Sequence, residues 1–265
     1  MRLTSPRLAL ALLLALVPLH GAQAQLAVPD TFTNLKVLPK HITKEQLLAT
    51  MRGFTGGLGV RCDYCHAEKK GAAGAVAAPG APAPRPHLDF PSDAKKEKRI
   101  ARAMLKMVEG VNGKYLAKVA ELSDTAAIPH VQVQCVTCHH GVPLPQTLTA
   151  VLARDVAQKG VPAAIEHYQK LKTEYYGSGA YDFREGSLDD LALRLSGAGK
   201  PDDALAILTL AGQEFPQSGA VPFLRGEVLL KQGDRAGAIA AYQRALELQP
   251  RNEMARRRLA ELQGQ

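Results

Sequence analysis

The sequence predicts an all-α chain in two parts, a pair of helix-turn units followed by an α-solenoid of helix pairs. Two observations carry that prediction. A Cys-x-x-Cys-His motif occurs twice, at Cys62-Asp63-Tyr64-Cys65-His66 and at Cys135-Val136-Thr137-Cys138-His139, and each copy follows a segment with apolar residues at three- and four-residue spacing. Beyond Pro145 the composition turns to alanine, leucine and charge, and small residues recur there with a period of 34, the pattern of stacked helix pairs.

Each motif reads as a c-type haem attachment site. Two thiols three positions apart can add across the two vinyl groups of one haem, and the histidine that follows is then held beneath the porphyrin as proximal iron ligand. The chain has four cysteines, and the two motifs use them all. Two other readings compete: a four-cysteine zinc site, or a pair of redox disulfides. Neither needs a histidine at the same offset after both pairs, whereas haem attachment does. The expectation is two covalently bound haem c groups, with Cys62, Cys65, Cys135 and Cys138 as attachment points and His66 and His139 as axial ligands.

Residues 1–24 look like a secretory signal peptide. Arg2 and Arg7 form its positive end, Leu8 to Leu19 its apolar run, and Ala22-Gln23-Ala24 its small-residue cleavage site. The run is too short for a permanent transmembrane span. No cysteine lies near the cleavage site, which argues against a lipid anchor. Attachment of this kind belongs outside the cytoplasm, so a periplasmic or otherwise exported location follows. Removing residues 1–24 lowers the formal charge of +8 by two, and haem propionates offset more of it, so the surplus gives little reason to expect nucleic acid.

Residues 25–145 form the expected dihaem cytochrome c domain, built of helix-turn-haem units. Thr43 and Gln46 have the form of a capping box. The helix they open carries Leu47, Met51, Phe54 and Leu58 on one face, and Gly56, Gly57 and Gly59 break it before Cys62. Met51, eleven residues before Cys62, is either a core methionine or the sixth ligand of the first iron. Residues 71–86 are nearly all Gly, Ala and Pro and read as a flexible insertion without chemistry. A second helix opens at Ser92-Asp93 with Lys95, Lys96, Lys98 and Arg99, read as a solvated cluster. Its apolar face holds Ile100, Met104, Met107, Val108 and Val111. Tyr115 to Leu122 continues it past Gly113 or after a break there, and a loop from Ser123 leads to the second motif.

Met51, Met104 and Met107 are three of the five methionines, and they lie on the two helices that precede the motifs. Thioether ligation opposite histidine raises the reduction potential and suits an electron carrier rather than an enzyme. A dihaem peroxidase is the enzymatic alternative and needs one open distal position. His130, His87 and His41 compete as distal ligands, while His140 reads as a surface residue.

The run Leu58-Gly59-Val60-Arg61 with the first motif, the segment Ala101-Arg102-Ala103-Met104-Leu105-Lys106-Met107, and the second motif with His140-Gly141-Val142-Pro143 together resemble the cytochrome c subunit of photosynthetic reaction centres, over about residues 33–145. The resemblance implies that each haem lies along a helix whose methionine is the distal ligand, and that paired units are related by a local two-fold. It implies Met51 for the haem of His66 and Met104 for that of His139; by the reading of the residues themselves, Met107 and His130 stay as alternatives to Met104. Reaction-centre members hold four haems where this chain has motifs for two. It also lacks their lipid-anchoring cysteine, and the Gly/Ala/Pro segment is foreign to them, so a photosynthetic role does not carry over.

In residues 146–265, Gly199, Ala204, Ala211 and Pro216 return as Gly233, Ala238, Ala245 and Pro250, and Ala192 returns as Gly226. This resembles the tetratricopeptide repeat, with full repeats at about 185–218 and 219–252. A divergent first helix pair runs from Leu148 to Tyr176, and a capping helix from Met254 to Leu262 presents Arg256–Arg258 outward. The expected partners are redox donor and acceptor proteins, a protein or peptide on the repeats, or a second copy through self-association. The rival reading is a tetratricopeptide adaptor whose haems are structural or redox-sensing.

Overall fold

The computed structural model describes residues 28–69, 87–122 and 131–264. The proposed signal peptide and the Gly/Ala/Pro segment lie outside the described residues. The architecture is helical throughout, in agreement with the sequence, apart from one two-residue antiparallel ladder. No helix among the described residues is long and apolar enough to cross a membrane.

Helix α1 (Lys44–Leu58) starts at the expected capping box, with the Gln46 amide donating to Thr43 Oγ1 at 3.3 Å and the Thr43 amide to Gln46 Oε1 at 3.0 Å. The glycines do not break it where expected. The helix runs through Gly56 and Gly57 and stops at Gly59, whose φ of 65° is left-handed and favours glycine. Helix α2 (Cys62–Cys65) is the first motif. It hands the chain to strand β1 (Ala67–Glu68), which pairs with β2 (Leu88–Asp89) in the register Ala67 to Asp89 and Glu68 to Leu88.

Helix α3 (Lys96–Gly110) begins three residues later than Asp93, because Ser92 and Asp93 are used elsewhere. The Ser92 amide donates to Asp89, and the Asp93 carboxylate accepts from Asn34, Lys36 and Arg102 at 2.9, 2.7 and 2.7 Å. Lys98 departs from the solvated reading of the basic cluster. Its side chain is largely buried and donates to the carbonyls of Phe90 and Ser92 at 2.6 and 2.8 Å. The helix continues past Gly113 as a π-helical stretch, Val111–Leu116, and then as α4 (Ala117–Leu122). Helix α5 (Cys135–His139) is the second motif.

Three helix pairs follow: α6 (Leu148–Lys159) with α7 (Val161–Tyr175), α8 (Gly186–Gly197) with α9 (Pro201–Glu214), and α10 (Ala220–Lys231) with α11 (Arg235–Leu248), closed by α12 (Glu253–Gln263). The recurring small residues sit where helices touch. Ala192, Ala204, Ala211, Ala238 and Ala245 are buried, and a Cβ on Gly226 would stand 2.5 Å from the Tyr242 ring. One continuous core runs from Leu148 to Val228. The longer spacing after the first pair accommodates a turn that buries Phe183 against Tyr168, ring centroids 5.9 Å apart. Arg258 is not part of a solvated face as expected: it grips Glu227 at 2.9 and 3.0 Å, and Glu227 also accepts from Tyr242 at 2.6 Å. This tie fastens α12 to the last pair.

Candidate functional site

In α2 the i,i+3 spacing puts Cys62 and Cys65 on one helix face. The His66 amide closes the turn on the Cys62 carbonyl at 3.0 Å, and His66 itself is extended, φ −107° and ψ 133°. The β1–β2 ladder then brings Phe90 to the ring, edge-on at 5.0 Å. His66 Nδ1 is buried without a hydrogen-bonding partner. Burial, aided by the Lys98, Arg102 and Lys95 charges and opposed in part by the Phe90 backbone, holds the ring's pKa down to about 4. His66 is therefore neutral near pH 7, the state that binds metal.

The second motif is built differently. His139 is buried, and its Nδ1 lies 2.8 Å from the Val142 carbonyl. A neutral imidazole makes that contact by donating Nδ1–H, which leaves the Nε2 lone pair free to ligate. His140 and Gly141, both at positive φ, fold the chain back so that Val142 can reach. Ahead of the motif, the Asn112 amide from the π-helical stretch donates to the Val133 carbonyl at 2.9 Å and accepts from its amide at 2.8 Å. This pair of bonds ties the approach to α5 onto the preceding helix.

The two units interlock reciprocally. The end of α1 meets the second motif: the Gly141 amide donates to the Gly57 carbonyl at 3.0 Å, and a Cβ on Gly59 would fall 2.0 Å from the Gly141 oxygen. The start of α3 meets the first motif, where Lys95 Nζ donates to the Asp63 carbonyl. Each helix thus leads into its own motif or towards it while packing on the other unit's.

All four thiols are free. Cys62, Cys65 and Cys135 are half-buried and Cys138 is exposed, and burial raises the thiol pKa of Cys65 and Cys135. Among the described residues no three His, Cys, Asp or Glu side chains converge on a metal-sized site. Met51 and Met104 are half-buried on α1 and α3, whereas Met107 is exposed. His41, His87 and His140 are exposed, the His140 ring lying 3.4 Å from where a Cβ on Gly179 would stand. His130 lies outside the described residues.

These residues fit haem c. Between residues 28 and 145 the described chain buries only Leu47, Leu88 and Val142 among its hydrophobic side chains, and α3 buries nothing. Its apolar stripe, from Ile100 to Val111, is only partly covered by protein. A flat apolar group held by the cysteines would supply the missing packing, and the imidazoles of His66 and His139 would supply the donors. Phe90, Asn112 and the Gly57–Gly141 contact were not legible in the sequence. The chemistry of Leu88-Asp89-Phe90 gives no sign of a strand pairing across twenty residues.

Residues 20–188 match the family described as photosynthetic reaction centre cytochrome C subunit. The chain belongs to that family. This cytochrome c subunit family is one of electron carriers rather than enzymes, and membership implies covalently bound haem c. Residues 190–253 and 223–263 match the tetratricopeptide repeat. The cytochrome family match therefore takes in α6 and α7 and ends within α8. Solved structures similar to the chain include MamA MSR-1 C2, at 18% identity and a TM-score of 0.29, covering 63% of this chain and 86% of that one. MamA AMB-1 P212121 follows at 17% and 0.30, covering 64% and 83%. The P58(IPK) TPR domain is similar at 17% and 0.32, covering 64% and 46%. At these scores the likeness carries no argument about function.

Proposed function

We propose that this family member is an exported, periplasmic two-haem carrier that passes single electrons between protein partners, with its helical repeats as the docking or self-assembly module. The observation that carries the reading is the doubled thiol–thiol–histidine arrangement on two interlocked units, with His139 fixed by Val142 to present Nε2. When bound, each haem supplies an iron that alternates between ferrous and ferric states. Cys62 and Cys65 hold one such group covalently, and Cys135 and Cys138 the other. His66 and His139 would hold the irons as proximal ligands, and Met51 and Met104, half-buried on α1 and α3, would be the distal ones. Phe90 keeps water from the His66 ring. Covalent attachment lets a segment with so few buried side chains keep its shape.

Optical spectra of the mature protein test this directly. The proposal expects low-spin haem whose methionine-to-iron charge-transfer band falls stepwise in Met51→Ala and Met104→Ala. Unchanged spectra would move the distal ligands to histidine, and a high-spin iron with rapid hydrogen peroxide turnover would replace the carrier by a peroxidase.

A further inference from the structure

The two motifs share a sequence pattern and differ in the charged residues that their surrounding segments carry. Around His66 the basic residues of α3 close in. Lys98 donates to the Phe90 carbonyl at 2.6 Å, and the Phe90 ring rests on His66 at 5.0 Å. Lys95 donates to the Asp63 carbonyl within the first motif, and Arg102 reaches Asn34 at 3.0 Å and Asp93 at 2.7 Å. Lys95 and Lys98 thus bring positive charge to the first motif and to the ring that covers His66, with Arg102 one turn along the same helix. Asp93 offsets Lys36, Lys98 and Arg102 in part, as do Glu97 beside Cys65 and Asp89 near Lys98. Residues 131–147, by contrast, contain no Lys, Arg, Asp or Glu at all.

The ligand side differs in the same sense. His139 donates its Nδ1–H to the Val142 carbonyl at 2.8 Å. Such a bond raises the basicity of the ligating nitrogen and so favours the more positive ferric iron. His66 Nδ1 has no partner among the described residues and makes its imidazole the weaker donor. Nearby cations favour the ferrous iron, which carries one positive charge less. Both rings are withdrawn from solvent, so burial acts on both.

We propose that the haem of His66 has the higher reduction potential and the haem of His139 the lower, with Lys95 and Lys98 as the residues that set the gap. This ordering rests on the two-haem reading above. In a half-reduced protein the single electron would rest on the iron held by His66 and leave the iron held by His139 ferric, with no bond made or broken and no proton moved.

The test is a spectroelectrochemical titration of the mature two-haem protein and of two variants. Lys95 contacts the first motif from the surface, and Leu144 is exposed two residues beyond Val142. Lys95→Met is expected to lower only the upper step, changing the partition of one electron between the haems about tenfold, or 59 mV. Leu144→Lys is expected to raise only the lower step. If Lys95→Met does not mature, Leu144→Lys decides the order alone. Two coincident steps, a shift of the lower step in Lys95→Met, or a shift of the upper step in Leu144→Lys would overturn the ordering while leaving the two-haem carrier intact. Fewer than two haems by mass would overturn that reading and the ordering with it.

Discussion

Single residues carry unequal electrostatic loads. Asp93 accepts hydrogen bonds from Lys36, Asn34 and Arg102, and these hold its carboxyl well below the usual carboxylate range. A carboxylate with a depressed folded-state pKa stabilises the fold above its unfolded value of about 3.9, and that contribution is lost as pH falls through the folded value. Asp93→Asn should therefore flatten the acid limb of stability, read as the unfolding midpoint between about pH 4 and pH 2. Asp189 behaves oppositely. One carboxylate oxygen is buried without a partner, and burial with the nearby Glu185 charge raises its pKa to about 6. The folded state binds the extra proton, so stability falls as pH rises from about 4 through 6. Asp189→Asn should raise stability at pH 7 by about 1 kcal/mol, after allowance for a half-exposed site, and leave it little changed below pH 4, measured by denaturant unfolding at both values. In the sequence Asp93 reads only as a helix start, because Asn34 and Lys36 reach it from 59 and 57 positions away; Asp189 carries no mark because its burial is set by the fold, although Glu185 lies only four positions before it.

At the scale of elements, close backbone approach is what the glycines and Asn112 provide. Gly59 is left-handed and abuts the Gly141 oxygen. Gly59→Ala should destabilise the haem-bearing segment by at least the 1–2 kcal/mol that a left-handed alanine costs, visible as a lower thermal midpoint and slower maturation. Asn112→Ala leaves both backbone groups of Val133 unpaired and should cost about 1–3 kcal/mol. The signature is faster amide hydrogen exchange at Val133 and through α5, with the repeats unaffected. Gly226→Ala should overpack against Tyr242 and cost about 1–3 kcal/mol, this time in the repeats. The capping box at Thr43 and the repeat alanines were legible because they follow local rules of spacing. The π-helical stretch and the β1–β2 ladder were not. A π-helical stretch is decided by what Asn112 can reach, and the ladder pairs residues separated by a segment that gives no structural signal.

At the scale of the whole molecule, two kinds of interior are joined in one chain. The repeats bury an unbroken aliphatic and aromatic core of their own. The haem-bearing segment buries almost none, and its apolar helix faces are completed by the cofactors that its family implies. The sequence disclosed this division through the place of its cysteines and the change of composition near Pro145. It did not disclose that each unit's helix packs on the other unit's motif, since that exchange depends on Gly57, Gly141, Lys95 and Asp63 meeting in space. The interlock makes the two units interdependent, so a substitution that disrupts one motif is expected to loosen the other unit.

Intact mass of the full-length protein, matured in a haem-attaching periplasm, tests the central claim most directly. The account predicts a chain cleaved near Gln25 and heavier by two haems. It also predicts that Cys62→Ser or Cys135→Ser weakens attachment at one motif and lowers the stability of the whole haem-bearing segment. A mass showing no haem, or two disulfides in its place, would contradict it.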